Sequence, residues 1–291
     1  MAHFNLRTLP KNRFLRGIYL MVQRYLRHNV GLQSAALAFY LLFTIFPFLI
    51  FVSALLGLLQ LDVVAILADL GELLPREVVD FVGVYLRYVG ENSNLQLLLF
   101  GLFFSIYFPM RATNSLMRAT RTAYHLGPPR GPIRHTIKTL LYTVLLMLTI
   151  ALTLTLLSVG ESMLSYAIAH FGLPPFVARL WTALRFPVVA AMAFFALLCL
   201  YALAQDSRKP WWNVWPGALA ALAAWMGLSL CYTLYVENIA NYSLLYGSIG
   251  TVIVLLIWLY MSAATLIMGA ELNGTILSLR KDAPEWELEE I

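Results

Sequence analysis

The chain has 291 residues, of which 60% are hydrophobic and only 12% charged, and its mean hydropathy is +0.75. A soluble globular domain carries about 25% charged residues, so 15 acidic and 20 basic side chains cannot clothe a water-facing surface of this size. The composition excludes a soluble enzyme, a disordered chain, a collagen and a coiled coil, and makes lipid the main solvent.

Residues 1–28 form a basic segment without a single acid. Within it, 11–28 has helical periodicity. Arg13, Arg16, Arg24 and Arg27 share one face, interrupted by Leu20, while Phe14, Ile18, Met21, Val22 and Tyr25 form another. This is the pattern of an amphipathic helix in the headgroup region of a membrane, with the four arginines contacting lipid headgroups. The first apolar run begins near residue 30 and is far longer than the core of a cleavable signal peptide, so it is expected to be a retained span.

Six windows of 18 or more residues lack Asp, Glu, Lys and Arg: 28–61, 92–110, 139–160, 186–205, 210–236 and 238–270. Crossing a bilayer takes about 20 mostly apolar residues in a helix, which satisfies its own backbone hydrogen bonds. The runs are apolar on every side, as in 252–261, which excludes the alternating pattern of a transmembrane β-barrel. The expectation is an all-α protein with six spans at about 30–59, 93–120, 137–160, 178–204, 213–237 and 248–278, within a domain covering 29–279.

Between the first two spans, residues 62–90 hold two amphipathic stretches separated by Gly71 and Pro75. They serve either as a lid over a cavity or as cover for helix ends on the outer face. Span 2 passes through Pro109 and continues as one helix towards Gly127. The gap at 162–178 contains His170, Gly172, Pro174 and Pro175 and is expected to be a loop. Pro47, Pro109 and Pro187 lie inside spans and are expected to kink them. Trp211, Trp212 and Trp215 mark a membrane boundary before span 5. Tyr246, Gly247, Ser248 and Gly250 lead into span 6, and residues 280–291 form an acidic tail.

Basic residues alternate between loops. With both termini cytoplasmic, sixteen Lys and Arg lie inside and four outside, as the positive-inside rule requires. The same distribution accounts for the pI of about 9.2 without a nucleic-acid partner. The expected partners are membrane lipids and a small-molecule or lipid substrate.

Catalytic motifs are absent from the sequence. The five histidines share no chelating spacing, and there is no C-x-x-C, phosphate loop, dinucleotide fingerprint or nucleophile elbow. No metal or cofactor site and no enzymatic activity are expected. Cys199 and Cys231 fall within spans and read as packing residues. Ionisable residues in spans are the best functional pointers. Glu271, near the cytoplasmic end of span 6, shares a helical face with Tyr260, Ala264 and Ile267 or Met268, and Arg185 precedes Pro187 in span 4. The candidate polar site is therefore Arg185, Glu271, Tyr246, Gly247 and Tyr260. The motivated functions are transport of a small or amphiphilic solute without an ATPase of its own, or a lipid-binding or envelope-organising scaffold.

The stretch 246–274 resembles the last span of the YihY/BrkB family of bacterial inner-membrane proteins. Residues 34–50 look like that family's opening signature, 208–225 like its approach to span 5, and 184–189 like its Arg-x-Pro segment. The resemblance covers roughly 10–280, with the motifs in order. It implies six spans with both ends cytoplasmic, and it points to Arg185, Pro187, Tyr246, Gly247 and Glu271. The family was once labelled ribonuclease BN, a name regarded as misassigned, and members are also called virulence factors or exporters. One departure is RATRTAYHL (118–126), where the family often has an Asn before the aromatic and this chain has Thr120 and Arg121.

Overall fold

A computed structural model describes residues 13–58, 83, 94–127, 129, 131–171, 176–205, 213–238 and 248–280. The described residues are helical throughout apart from short turns, with no strand among them. The helices are α1 (Arg13–Arg27), α2 (Val30–Leu58), α3 (Leu95–Ala123), α4 (Pro132–Phe171), α5 (Phe176–Ala204), α6 (Trp215–Asn238) and α7 (Ser248–Arg280). Helices α2 to α7 are each long and apolar enough to cross a membrane. The amphipathic stretches at 62–90, Gly83 excepted, lie outside the described residues, as do Tyr246 and Gly247.

Local chemistry sets the helix ends. Asn29, at φ 50°, lies between α1 and α2. It turns the chain in the left-handed region that Asn tolerates better than most residues, and its carbonyl accepts the Gln33 N–H of α2 at 3.0 Å. Asn94 caps α3 by accepting the Leu97 N–H at 2.8 Å. At the other end of α3 the Leu126 N–H donates to Arg121 O at 2.9 Å and the His125 N–H to Thr122 O at 3.0 Å. That pairing is a Schellman stop, with His125 at φ 52° in the place glycine usually takes.

One expectation is corrected. The stretch 162–178 is not a loop throughout, because α4 runs unbroken to Phe171. Residues 162–169 contain no glycine or proline, so the breakers Gly172, Pro174 and Pro175 act only beyond the helix. Pro47, Pro109 and Pro187 each sit inside an assigned helix. Each lacks an N–H, so the carbonyls of Phe43, Ser105 and Ala183 lose their helical donor.

The chain divides into two compact units. The first comprises Met1–Ala38, Thr113–Thr149 and Phe186–Ile291. Its centre is the second half of α7, where Ala263, Ile267, Ala270 and Asn273 are all buried. Helices α6 and α7 run antiparallel, since the Trp225 Nε1–H donates to Ser262 Oγ at 3.0 Å and the Tyr232 hydroxyl to Val254 O at 2.6 Å. At their closest crossing a side chain on Gly217 would strike the Gly269 carbonyl, and one on Gly269 would come within 2.5 Å of Ala221 Cβ. Small residues of this kind let spans approach closely where lipid offers no hydrophobic drive for association. The Tyr201 hydroxyl of α5 donates to Leu266 O of α7 at 2.6 Å, and the Tyr142 hydroxyl of α4 to Ala196 O of α5 at 2.9 Å.

The second unit comprises Phe39–Ala112 and Ile150–Arg185. Within it, Gly101 of α3 lies against the Phe51 backbone of α2, 2.5 Å from Phe51 N to where a Cβ would stand. Aromatic rings line the same helix pair: Phe39 and Phe43 at 4.3 Å, Phe43 and Phe108 at 5.8 Å, Phe104 and Phe108 at 5.7 Å. Many large apolar side chains in both units are exposed, among them Leu141, Leu230 and Phe103. Several hydroxyls in the spans fold back on their own helix, as Ser34 does on Val30 O, Thr44 on Tyr40 O and Thr143 on Thr139 O, so these three add no unpaired donor to an apolar surface.

Candidate functional site

The charged centre of the first unit is built by four elements. Arg24 comes from the last turn of α1 and His28 from the turn after it. His125 comes from the stop of α3, and Glu271 from α7. The Glu271 Oε2 accepts from Arg24 Nη1 at 3.3 Å, and Oε1 pairs with His28 Nδ1 at 2.6 Å. The Arg24 Nη2 meets His125 Nε2 at 3.1 Å and donates to Ser278 Oγ at 2.8 Å, while Nη1 also donates to Ala123 O at 2.9 Å. The two imidazoles stand edge to face, with centroids 5.7 Å apart. The Glu271 side chain is 1% exposed and that of Arg24 is 2%, against 15% for His28. Removing two full charges from water costs several kcal/mol per ion unless each is paired and hydrogen-bonded. Here the carboxylate has a partner on each oxygen and the guanidinium has four acceptors. In the neighbouring turn, burial raises the Tyr124 phenol above its ordinary value against smaller opposing effects of Asn273 and Gln205, so it adds no charge at neutral pH.

Gly274 makes this arrangement possible. A side chain there would strike Ala123 O and come within 2.5 Å of Arg24 Nη1. Beside it, Asn273 performs a capping role that sequence spacing does not reveal. Helix α6 begins after Val214, which has no polar side-chain atom to serve as a cap. Asn273 supplies one from α7: its Oδ1 accepts the Gly217 N–H at 2.7 Å and its Nδ2 donates to Val214 O at 2.8 Å. Arg121 does the corresponding work at the C-terminus of α5 and in the turn after α3. It is buried, and donates from Nη1 to Ala204 O, the end of α5, at 3.0 Å and from Nη2 to Gly127 O at 2.6 Å. A cation at the end of a helix dipole is favourable.

The structure places the predicted residues unevenly. Glu271 is fully buried at the centre of the cluster. Tyr260 lies on the same helix, its hydroxyl meeting that of Tyr25 beside Gly31. Arg185 is half-buried in α5 and belongs to the second unit. Arg24 is a correction: expected at lipid headgroups, it is buried inside the protein because Glu271 provides an internal counter-charge and Ala123 O, Ser278 Oγ and His125 Nε2 provide further acceptors. The face Arg16, Leu20, Arg24 is the one turned inward. Leu20 is buried and Arg16 is half-buried. Leu15, Ile18, Val22 and Leu26 are exposed instead. Arg27 is exposed, and the Arg13 side chain lies outside the described residues. Sequence reasoning missed His28, His125, Arg121 and Asn273. No local spacing connects them, although RATRTAYHL, where the chain departs from its expected pattern, contains both Arg121 and His125.

Among the described residues no three His, Cys, Asp or Glu side chains converge to hold a metal ion. Cys199 is half-buried and Cys231 exposed, and both are free thiols. An apolar groove of about 600 Å³ runs between α1 and α7, lined by Gly17, Ile18, Met21, Val22 and Leu26 on one side and Met268, Leu272, Ile276 and Leu279 on the other.

Among the described residues, six helices long and apolar enough to cross a membrane define a polytopic α-helical membrane protein, whose first unit holds a buried ion pair. The chain matches the family model described as Virulence factor BrkB over residues 21–288, and it belongs to that family. It is 30% identical over 272 residues to the "Putative ribonuclease-like protein YfkH" of Bacillus subtilis (strain 168), covering 94% of this chain and 98% of that one. It is 29% identical over 125 residues to a UPF0761 membrane protein of Pseudoalteromonas translucida (strain TAC 125), covering 43% of this chain and 40% of that one. A UPF0761 membrane protein of Verminephrobacter eiseniae (strain EF01-2) is 28% identical over 129 residues, 43% of this chain and 30% of that one. No solved structure matches the chain.

Proposed function

We propose that this protein is a transporter or exporter of a small or amphiphilic solute in the bacterial inner membrane, with both termini cytoplasmic. The observation that carries the reading is Glu271, a fully buried carboxylate in the last span with Arg24 and His28 as partners. Ionisable residues inside membrane bundles are costly and mark substrate or ion paths. The sequence contains no phosphate loop, so coupling is to an ion gradient or to a partner protein. The activity is not enzymatic in this reading, and the ribonuclease-like name of the Bacillus relative is not carried over. Both oxygens of Glu271 are engaged, Oε2 by Arg24 and Oε1 by His28, which leaves neither poised for acid–base work. The test is solute flux in proteoliposomes across a broad panel. Wild type should exceed empty liposomes for at least one solute, with Glu271→Gln and Arg185→Gln reduced. A wild type indistinguishable from empty liposomes throughout sinks the proposal.

A second reading, lipid binding in an envelope-organising role, is favoured by the apolar groove between α1 and α7. Its apolar lining suits an acyl chain, and α1 carries exposed Arg27 suited to an anionic headgroup. Native mass spectrometry after gentle detergent extraction should then show a retained phospholipid that Gly17→Leu expels by filling the groove. Equal retention by wild type and variant removes this support.

A further inference from the structure

We propose that Arg24, His28, His125 and Glu271 form a proton-binding site, and that protons taken up by its two imidazoles release α1 from α7. The hydrogen-bond geometry assigns the protons of the resting state. A carboxylate only accepts, so the His28 Nδ1 facing Glu271 Oε1 at 2.6 Å carries a hydrogen, and its Nε2 is the atom left to take another. A guanidinium only donates, so the His125 Nε2 facing Arg24 Nη2 at 3.1 Å presents a lone pair, and the ring is neutral with its hydrogen on Nδ1. With Arg24 positive, Glu271 negative and both rings neutral, the cluster has no net charge.

Proton uptake at either ring opposes this arrangement. A proton on His125 Nε2 sets one N–H against another and cancels a bond that holds Arg24. A proton on His28 Nε2 makes an imidazolium that competes with Arg24 for the same carboxylate. The rings are 5.7 Å apart, so the two uptakes are coupled. Every added charge enters a site whose Arg24 and Glu271 are almost wholly buried, and the strain is relieved if Arg24 leaves with α1. Among the described residues the groups facing the cluster include Ser278 Oγ and Ala123 O, neutral acceptors of Arg24, and Tyr124, which stays protonated in the adjoining turn, while Arg27, further along α1, is exposed. Access exists because His125 is exposed and the His28 side chain is 15% exposed. His125 also occupies a left-handed position at φ 52°, which L side chains rarely adopt. A histidine kept in that conformation is consistent with a side chain needed there.

This inference deepens the transport reading by naming the proton as the coupling ion; only that coupling rests on the reading, and proton binding stands without it. The experiment places spin labels at exposed Leu26 of α1 and exposed Ile133 of α4 in a Cys199→Ala, Cys231→Ala background in nanodiscs, and records the distance distribution between about pH 8 and pH 5, where histidine ordinarily changes charge. Wild type should show one distance at the alkaline end and gain a longer population on acidification. His28→Gln combined with His125→Gln should remain in the first state throughout. His125→Gly, which suits the left-handed turn and so folds, should shrink the acid response by at least about twofold, one of the two imidazoles being gone. A wild-type distribution that does not change with pH overturns the proposal, as does an undiminished response in the double histidine variant. Proteoliposome flux separates the two readings: a pH response without flux leaves the proton site standing and removes transport, whereas flux without a pH response does the reverse.

Discussion

Arg24 and Glu271 stand 247 residues apart in the chain and meet as a buried ion pair at 3.3 Å. The pair fastens the N-terminal helix to the last span from the inside. It also explains why an arginine of an apparently surface-facing basic helix is almost completely buried.

Removing one member of that pair strands the other charge. Arg24→Met or Glu271→Leu alone should lower stability by about 3–5 kcal/mol, whereas the two together should recover most of the loss, because a well-packed apolar pair often replaces a buried ion pair at little cost. Thermal unfolding in detergent, run as a double-mutant cycle, measures this. Additive losses in the double variant would show that the two side chains do not depend on each other.

Asn273 should behave as a cap supplied from another helix. Asn273→Leu leaves the Gly217 N–H without its acceptor and Val214 O with the Ala218 N–H as its remaining donor, and should cost about 1–3 kcal/mol. Faster amide exchange should be confined to the first turn of α6. Adding Val214→Asn, which gives the helix its own capping side chain, should restore part of the protection. Unchanged exchange in Asn273→Leu would remove the capping role.

The glycines of the spans should sort by what surrounds them. Gly217→Val and Gly269→Val force atoms into the neighbouring helix and should destabilise by about 1–3 kcal/mol or more through overpacking. A Cβ on Gly227 would meet nothing within 4 Å, so Gly227→Ala should be neutral or stabilising by up to about 1 kcal/mol through helix propensity. Melting temperatures of the three variants give the comparison, and an equal loss at Gly227 would refute the close-approach explanation.

Arg121→Met should uncover the carbonyls of Ala204 and Gly127. Hydrogen bonds to a charged group contribute about 1.5–3 kcal/mol, so a loss of that size is expected. Exchange should accelerate at the end of α5 and in the turn after α3. A variant as stable as wild type would mean that water replaces the guanidinium at both carbonyls.

The membrane-spanning elements were largely legible in the residues. Each charge-poor window contributes a helix, because lipid penalises both exposed charge and an unpaired backbone. Breakers were read less well: the gap at 162–178 looked like a loop, yet the helix persists to Phe171, since Gly172 and the prolines end it only where they stand. The α1 pattern was misleading in a particular way. Its periodicity predicts a helix, and α1 is one, but Arg24 is buried while Arg27 is exposed, because which residues turn inward depends on a carboxylate 247 residues away.

The candidate site shows the same division. Glu271 stood out by itself, as a lone acid in an apolar span. Its partners did not, since His28 is 243 residues away and His125 is 101 residues from Arg24. Composition and charge spacing determined that this is a helical protein of the bilayer, because the cost of placing each residue in lipid is local to that residue. Only the tertiary structure decided that Arg24 and His28 face Glu271, that His125 faces Arg24, and that Asn273 and Arg121 close helix ends from outside. Those are pairings between distant segments, and packing against α7, through the bare face of Gly274, is what brings Arg24 to Glu271 and to the end of α3.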